Sequence, residues 1–336
     1  MRTMLNTMCR RLTGGEALVL VTITAASGAT PRGAGAHMLV GREGRICGTI
    51  GGGAVEYRSI LAAQQVLERE VSDQQSFSLT RDDVQQLGMI CGGVVSVFFH
   101  YIPKGDSAAI ALAQEAERSF SAGEGLWLLS DLNCGGALSL YTEERGIFGR
   151  PVPDWVVDRR SRKPTLVEKD GASFCVEQIN SAGRVYIFGG GHVSQELEPV
   201  LSHVGFRCVV LDDRSEFTQR ALFPTAEEVR MIDFNHVADY VSIGPNDYVC
   251  IMTRGHAYDT VLQAQILKCC PCYVGVIGSR KKAAAIRQIL QSEYGLTDQE
   301  LNLITTPIGL DIEAETPAEI AISIAAQMIQ VRAKQL

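Results

Sequence analysis

A chain of 336 residues with 46% hydrophobic residues is long enough for two domains and can bury a sizeable core. Its net charge of −7 argues against a dedicated nucleic-acid-binding protein, which usually carries a surplus of basic residues. No stretch reaches the roughly 18 apolar residues of a membrane span, and residues 1–12 lack the apolar run of a signal peptide. We therefore expect a cytoplasmic protein, with no membrane partner and with its ten cysteines reduced.

The N-terminal half alternates β-branched runs with glycine-rich turns and two amphipathic stretches. The runs predict strands at 17–25, 36–40, 46–50, 94–102, 126–129, 137–141 and 173–179. The two amphipathic stretches predict helices at 54–70 and 107–120, and the proline-rich, charged interval 149–164 predicts a loop. This pattern is typical of an α+β domain over residues 1–180, with a core at about 14–103 and an extension at 104–180.

The C-terminal half alternates strands and helices, which is typical of an α/β domain with a parallel sheet and helices on both faces. Its apolar runs predict strands at 185–188, 208–211, 229–234, 248–252 and 272–277. Helices are expected after the turns at 189–191, 253–259 and 278–281, and a last helix starts with Pro317 at its first position. We expect this domain to cover residues 181–336.

A glycine-rich turn follows the first strand of the C-terminal half. Gly189 and Gly191 take the first two positions of the G-x-G-x-x-G fingerprint, Gly190 lies between them, and Ser194 takes the third position. Such a turn lets backbone N–H groups approach a pyrophosphate at the positive end of a helix. Asp212 ends the next strand, where the ribose-binding acid belongs. The alternative is a turn that binds nothing.

Further polar residues follow other strands of the same predicted sheet. The carboxyl ends of parallel strands lie at one edge, where ligands bind in open α/β sheets. The candidates at this edge, besides the glycine turn and Asp212, are His192, His256, Asp259, Gly278, Ser279 and Arg280. For each histidine, a helix-capping or packing role remains an equal alternative.

The N-terminal half has its own candidates. Gly51, Gly52 and Gly53 join a strand to a helix and predict a second anion site, although Glu56 in the first helical turn would oppose a phosphate. Cys91 precedes two glycines, whose amides would lower its pKa and favour the thiolate, the form that binds soft metals or carries sulfur. The alternative is a small buried hydrophobic residue.

Other chemistry finds less support. The cysteines at 269, 270 and 272 straddle a helix end and a strand start, without a matching pair at zinc-site spacing, so we interpret them as structural. The G-x-S-x-G motif of serine hydrolases and the H-E-x-x-H motif of metalloproteases are both absent from the sequence.

Taken together, these motifs resemble the XdhC/CoxI family, accessory factors of xanthine dehydrogenase and related molybdenum hydroxylases. The resemblance extends over nearly the whole chain and rests on the segments 28–40 (including Arg32), 48–53 with Glu56, 91–93, 188–193, 212–214, 253–259, 275–281, 307–311 and 316–321. Two departures stand out. Ser194 replaces a smaller residue, which predicts looser helix–strand packing, and the segment 253–256 is one residue longer than is usual in the family.

The resemblance implies a maturation factor rather than an enzyme. It implies binding of molybdenum cofactor (molybdopterin, either alone or in a dinucleotide form), help in its sulfuration, and delivery to an apo molybdenum hydroxylase. It also implies a Rossmann-type C-terminal domain, a homodimer, a cysteine desulfurase as a partner, and a cofactor-binding role for Arg32.

We combine both lines into one hypothesis. The turn Gly189–Gly191 holds the pterin phosphate or the nucleotide, while the N-terminal glycine turn and Cys91 face the molybdenum, with Cys91 as its candidate ligand or as a sulfur carrier. Two alternative functions remain. The first is an NAD-dependent oxidoreductase, with His256 and Asp259 as its acid–base pair. The second is a regulatory module that binds a nucleotide but catalyses no reaction.

Overall fold

The computed structural model describes residues 1–28, 30, 32–78, 93–133, 135–161, 163–180, 183–254 and 256–334, with only the backbone for His256 and Ala257. The chain divides into two units, Met1–Ser181 and Ala182–Leu336. Every hydrophobic cluster draws its residues from one unit alone. Each unit is therefore described by itself.

Two five-stranded antiparallel sheets form the N-terminal unit. The first has the order β3-β2-β1-β5-β4 and consists of β1 (Leu18–Gly28), β2 (His37–Gly41), β3 (Gly44–Gly48), β4 (Asp73–Ser78) and β5 (Gly93–Ile102). The second has the order β8-β7-β6-β10-β9 and consists of β6 (Leu126–Asp131), β7 (Leu138–Thr142), β8 (Gly146–Gly149), β9 (Thr165–Lys169) and β10 (Ala172–Asn180).

Helices cover the faces of these two sheets. They are α1 (Arg2–Thr13), α2 (Gly53–Arg69), α3 (Ser107–Ala122) and α4 (Asp154–Val157). Strand β1 is buried on both faces because its side chains alternate: Leu18 and Leu20 join a core with α1 and α3, whereas Val19 and Val21 join a core with α2. The core of α1 and α3 also includes residues of the second sheet, so it connects the two sheets.

The C-terminal unit is a six-stranded parallel sheet. Its strands are β11 (Val185–Phe188), β12 (Cys208–Asp212), β13 (Glu228–Met231), β14 (Tyr248–Ile251), β15 (Tyr273–Val276) and β16 (Ile304–Thr305). Their order is β13-β12-β11-β14-β15-β16, so the chain reverses direction across the sheet between β11 and β14. The helices are α5 (His192–His203), α6 (His256–Ile266), α7 (Arg280–Tyr294), α8 (Asp298–Leu301) and α9 (Pro317–Lys334).

Helices lie on both faces of this sheet. Val185 and Ile187 of β11 face a core with α5 and α9, whereas Tyr186 and Phe188 face a core with α6. Burial on both faces explains why the central strands are continuous apolar runs. The predicted fold class, a Rossmann-type parallel sheet beside an α+β unit, is confirmed.

Two local predictions need correction. The interval 149–164 is not an uninterrupted loop, because the single helical turn α4 forms after Pro153 and buries Val156 completely. Helix α1 and the polar strand β4 were not predicted, although α1 buries Leu5, Met8 and Leu12 along one face; β4 offers a single apolar residue, Phe77. No helix in the described part of the chain is both long enough and apolar enough to cross a membrane.

Candidate functional site

The glycine turn after β11 lies at the point where the strand order reverses. A Cβ atom at Gly189, whose φ is +106°, would lie 2.5 Å from the carbonyl oxygen of Met252. At Gly190 it would lie 2.5 Å from the carbonyl oxygen of Phe217. A Cβ atom at Gly191 would meet nothing within 4 Å. Packing therefore requires the first two glycines, whereas the third leaves open space at the start of helix α5.

Side chains of helix α5 hold this turn from behind. The buried Ser194 hydroxyl donates a hydrogen bond to the Gly189 carbonyl, and Gln195 Nε2 donates to the Gly190 carbonyl over 3.0 Å. Ser194, which we expected to loosen the helix–strand packing, satisfies a buried carbonyl of the turn with its hydroxyl. His192 is exposed at the first position of the helix.

Asp212 lies beside the glycine turn, at the end of β12, and is completely buried. Its Oδ2 accepts hydrogen bonds from the Gly190 amide at 2.7 Å and from Arg214 Nη2 at 3.0 Å. Its Oδ1 accepts from the amide and the Nε of Arg214 at 3.0 and 2.9 Å. Burial would raise the pKa of Asp212, but Arg214 and the Gly190 amide outweigh it and hold that pKa below its usual value.

Arg214 was not among the predicted site residues. Its guanidinium lies 3.9 Å from the centre of the Phe217 ring and is partly exposed beside the turn. Arginine binds phosphate through its planar fork of N–H donors, so this side chain adds a positive charge to the candidate site. In the sequence, Arg214 could have been found from its position two residues after Asp212, the acid that ends β12.

A second polar cluster lies at the same edge of the sheet. Asp259 in α6 is fully buried; its Oδ1 accepts a hydrogen bond of 2.5 Å from Thr253, and its Oδ2 forms an ion pair with Lys282 of α7. Ser279 caps α7 by accepting from the Lys282 amide at 3.2 Å. Lys282 thus contacts both Asp259 and Ser279, two residues predicted for the site. Lys282 itself was not predicted, because it lies in the basic run 280–282, which matches no functional motif.

A cavity of about 260 Å³ opens beside this cluster, at the carboxyl ends of β15 and β16. Gly278, Lys282 and Gln263 line it. Gly278, with a φ of +153°, packs against the Lys282 side chain, since a Cβ there would lie 3.0 Å from Lys282 Cδ. Arg280 is exposed, and for His256 the structure describes only the backbone, at the start of α6.

In the N-terminal unit, the turn Gly51–Gly53 already holds an anion from its own chain. The Glu56 carboxylate accepts hydrogen bonds of 3.1 Å from the amides of Ile50 and Gly52 and a further one from the Thr49 hydroxyl. Arg45 Nη1 lies 3.2 Å from the other carboxylate oxygen. Burial would raise the pKa of Glu56, but these partners together lower it. An external anion at these two amides would have to displace Glu56.

A buried polar trio that no sequence motif predicted joins the two N-terminal sheets. His37 of β2 lies 2.5 Å, Nε2 to Oε1, from Glu177 of β10, and its Nδ1 lies 2.9 Å from the Thr22 hydroxyl of β1. All three side chains are buried. His37 directly follows the glycine-rich segment 28–36, which was its only sequence signal. We interpret the trio as a polar connection between the sheets.

Two predicted site residues remain to be placed. Cys91 lies outside the described residues, and Arg32 is exposed. The eight cysteines that the structure describes are free thiols, and Cys270 is the exposed one among the trio near β15. In the same part of the chain, no group of three or more histidine, cysteine, aspartate or glutamate side chains could hold a metal ion.

If the six strands β11 to β16 are numbered 1 to 6 along the chain, their order in the sheet is 3-2-1-4-5-6. A parallel sheet of this order, with a glycine turn where the order reverses, defines a Rossmann-type domain. The XdhC Rossmann domain family matches residues 185–328, and the XdhC and CoxI family matches residues 12–78. Together these segments cover more than half of the chain. The chain belongs to the XdhC and CoxI family.

Relatives align along nearly the full length of the chain. A protein from Bacillus subtilis described as a probable subunit of xanthine dehydrogenase is 25% identical over 94% of both chains. The molybdenum cofactor insertion chaperone PaoD from Escherichia coli is 23% identical, over 99% of this chain and 89% of its own. A crystal structure described as a xanthine dehydrogenase from Bacillus halodurans superposes with a TM-score of 0.77 at 26% identity, and covers 99% of this chain and 96% of its own.

Proposed function

We propose that this protein binds molybdenum cofactor, supports its sulfuration and inserts it into a xanthine-dehydrogenase-type molybdenum hydroxylase. Family membership supports this proposal, as do two relatives, one described as part of a xanthine dehydrogenase and the other as a molybdenum cofactor insertion chaperone. We further infer that it acts as a cytoplasmic homodimer, with a cysteine desulfurase as the sulfur source and an apo-hydroxylase as the recipient.

The chemistry of the glycine turn fits a phosphate-bearing cofactor. Gly191 leaves open space at the N-terminus of α5, where backbone amides and the helix dipole favour an anion. Arg214 adds a cation on one side of the turn. When bound, the cofactor would supply the molybdenum centre that the recipient enzyme uses. The chain's own residues would hold its phosphate at the Gly191 end of the turn, because the amides of Gly189 and Gly190 already donate to Leu211 and Asp212. Arg214 would orient it.

The open position at Gly191 is the observation that carries this proposal, and it provides a direct test. Gly191 has φ −68°, which alanine adopts without strain, so Gly191→Ala should fold normally while its methyl group fills the space for the phosphate. We expect the variant, purified from cells that make molybdenum cofactor, to retain roughly tenfold less pterin and molybdenum than the wild type. Pterin fluorescence and metal mass spectrometry measure the two.

Gly244→Ala is the matched control. Gly244 lies in the same unit before β14, and a methyl group there would meet only the Asp247 carboxylate, at 3.9 Å. It should retain cofactor like the wild type. Equal retention by Gly191→Ala and Gly244→Ala would contradict the proposed phosphate site.

Cys91 is the proposed ligand of molybdenum or carrier of sulfur. Cys91→Ser removes the soft thiolate but keeps the side-chain size, so we expect lower molybdenum retention and weaker activation of an apo-hydroxylase. Cys9→Ser serves as a control because Cys9 packs at the edge of the α1 core. Unchanged retention and activation by Cys91→Ser would remove the thiol from the mechanism, while leaving the phosphate site intact.

The same preparations test the oxidoreductase and regulatory alternatives. A ribose hydroxyl would need a free acceptor on Asp212, yet its two oxygens already accept four N–H donors. We therefore expect weak NADH binding and no turnover of small carbonyl compounds. Tight NADH binding with turnover would favour the oxidoreductase, and nucleotide binding that is indifferent to Cys91→Ser would favour the regulatory module.

A further inference from the structure

Helix α9 is apolar on its inward face and on its outward face. The inward residues Ala321, Ile324 and Met328 lie in the core that α9 shares with α5 and the sheet. Between Glu319 and Arg332 the helix carries no charged residue. A surface helix usually places charged residues opposite its buried face. Helix α9 therefore has more apolar surface than the core of its own unit covers.

The outward face of α9 carries a stripe of apolar residues. Ile322 is 51% exposed and Ile329 is 39% exposed. Ala318 and Ala333 are also exposed, and Ala326, between the two isoleucines in the sequence, is half-buried. Successive members of this set are three or four residues apart, so all five lie on one face of the helix. We call these five residues the α9 stripe.

Helix α7 of the same unit shows the usual pattern for comparison. Its Ile289 is 36% exposed, but the exposed residues one turn further along, Ser292 and Glu293, are polar. Single exposed hydrophobic residues are common on protein surfaces, whereas a contiguous apolar surface indicates a site of interaction. The α9 stripe is of the second kind.

The α9 stripe is complementary to a second copy of itself. Two α9 helices can pair antiparallel about a twofold axis that passes between positions 325 and 326. Ile322 of one copy then faces Ile329 of the other, and Ala318 faces Ala333. A twofold interface requires this reciprocity, because each residue and its counterpart exchange roles between the copies. Ala326 lies beside the axis, where its small side chain allows the two helices to approach closely.

The charges at the two ends of α9 favour the same antiparallel arrangement. Exposed acids lie at its N-terminal end and just before it, namely Glu313, Glu315 and Glu319. Its last turn carries the basic residues Arg332 and Lys334. An antiparallel pair brings the acidic end of each helix next to the basic end of the other, whereas a parallel pair brings like charges together.

We propose that two copies of this chain associate through the α9 stripe, as an antiparallel helix pair about a twofold axis. This inference rests on the homodimer in the proposed function and adds the interface and its geometry. The stripe shares no residue with the proposed phosphate site at Gly191 and Arg214. Association and cofactor binding can therefore fail independently.

Sedimentation velocity of the full-length protein across a dilution series tests this inference. Ile322→Arg and Ile329→Glu each place an unpaired charge in the contact, and each should weaken association at least about tenfold. Both side chains are partly exposed, so the variants should remain folded, which circular dichroism checks. Ile289→Glu is the matched control on α7 and should associate like the wild type.

The double variant Ile322→Arg/Ile329→Glu tests the geometry. In the antiparallel pair, each arginine faces a glutamate of the other copy, so the double variant should associate more tightly than either single variant. A parallel pair would place arginine against arginine and glutamate against glutamate, with no recovery. Failure of the double variant to recover would therefore overturn the antiparallel arrangement.

A monomeric wild type, or single variants that associate like the wild type, would overturn the inference. If the wild type is monomeric and Ile329→Glu impairs activation of an apo-hydroxylase, the stripe belongs to the contact with that enzyme instead. Pterin and molybdenum retained by the same preparations separate this inference from the proposed function. Association through the stripe without retained cofactor would uphold the interface and contradict the cofactor-binding function alone.

Discussion

Glu56 shows how a carboxylate of the chain itself can satisfy a glycine turn. The positive φ angles of Gly51, Gly52 and Gly53 direct the backbone of this turn around the Glu56 side chain, and two amides of the segment bind it. The glycine turn after β11 differs, because only Gly189 has a positive φ and the first turn of the following helix has no acidic side chain. Its Gly190 amide donates to Asp212, but the space at Gly191 is open, so this turn keeps room for an external anion at its Gly191 end.

The lowered pKa of Glu56 predicts how its contribution depends on pH. Because the folded-state pKa lies below 4.5, the ionised carboxylate stabilises the fold above about pH 4.5, and the contribution is lost as pH falls through the lowered value. Glu56→Gln should lower the free energy of unfolding by about 1–3 kcal/mol at pH 7. Urea unfolding between pH 7 and pH 3 measures this, and the difference from wild type should shrink towards pH 3.

Glu68→Gln is the control for this experiment, since Glu68 is exposed on the same helix. It should change the stability little at any of these pH values. If Glu56→Gln were as stable as Glu68→Gln at pH 7, the turn would not depend on the carboxylate.

At the scale of whole elements, a buried ion pair joins helices α6 and α7. Asp259 is inaccessible to solvent, and Lys282 provides its charged partner from the first turn of the next helix. The two helices begin at the carboxyl ends of neighbouring strands, β14 and β15. The pair therefore fixes how the two loops of the candidate site lie beside each other.

Removing only one partner of this pair should be costly. Lys282→Met leaves the Asp259 charge buried without its cation, which predicts a loss of about 3–5 kcal/mol of unfolding free energy. The double variant Lys282→Met/Asp259→Asn removes both charges and should recover more than about 1 kcal/mol of that loss. Lys281→Met, at the exposed neighbouring position, is the control. Additive losses in the double variant would show that the two side chains do not interact.

The elements that the sequence predicted well are those with a strong apolar signal. The buried strands of the parallel sheet are continuous apolar runs, so β11, β12, β14 and β15 were found within one or two residues of their ends. Strand β4 was missed because it lies at a sheet edge and because five of its six residues are polar, with Phe77 as its one apolar residue. Local patterns carry little information about such a strand, since pairing with β5 determines it.

The glycines and the acids of the candidate site were predicted, but the basic residues that pair with these acids were not. Glycines and the end of β12 have local signatures, which located Gly189–Gly191 and Asp212. The pairing of Lys282 with Asp259, and of His37 with Glu177, depends on contacts between residues far apart in the sequence. No local pattern distinguishes such a lysine or histidine from an exposed one, so these partners became visible only in three dimensions.

For the whole molecule, the separate hydrophobic cores predict separate unfolding steps. Every hydrophobic cluster belongs either to Met1–Ser181 or to Ala182–Leu336. Proteins with more than one domain commonly depart from two-state unfolding. The chain has two tryptophans, and both Trp127 of β6 and Trp155 of α4 lie in the N-terminal unit. Tryptophan fluorescence should therefore report on that unit alone, whereas circular dichroism reports on both.

The variants Lys282→Met and Glu56→Gln, one in each unit, test whether the two units unfold independently. Lys282→Met should lower the urea midpoint of the part of the circular dichroism transition that comes from the C-terminal unit, and leave the fluorescence midpoint unchanged. Glu56→Gln should lower the fluorescence midpoint instead, because Glu56 lies in the same unit as both tryptophans. Coincident transitions by both probes, shifted together by either variant, would mean that the two cores unfold as one cooperative body despite their separate packing.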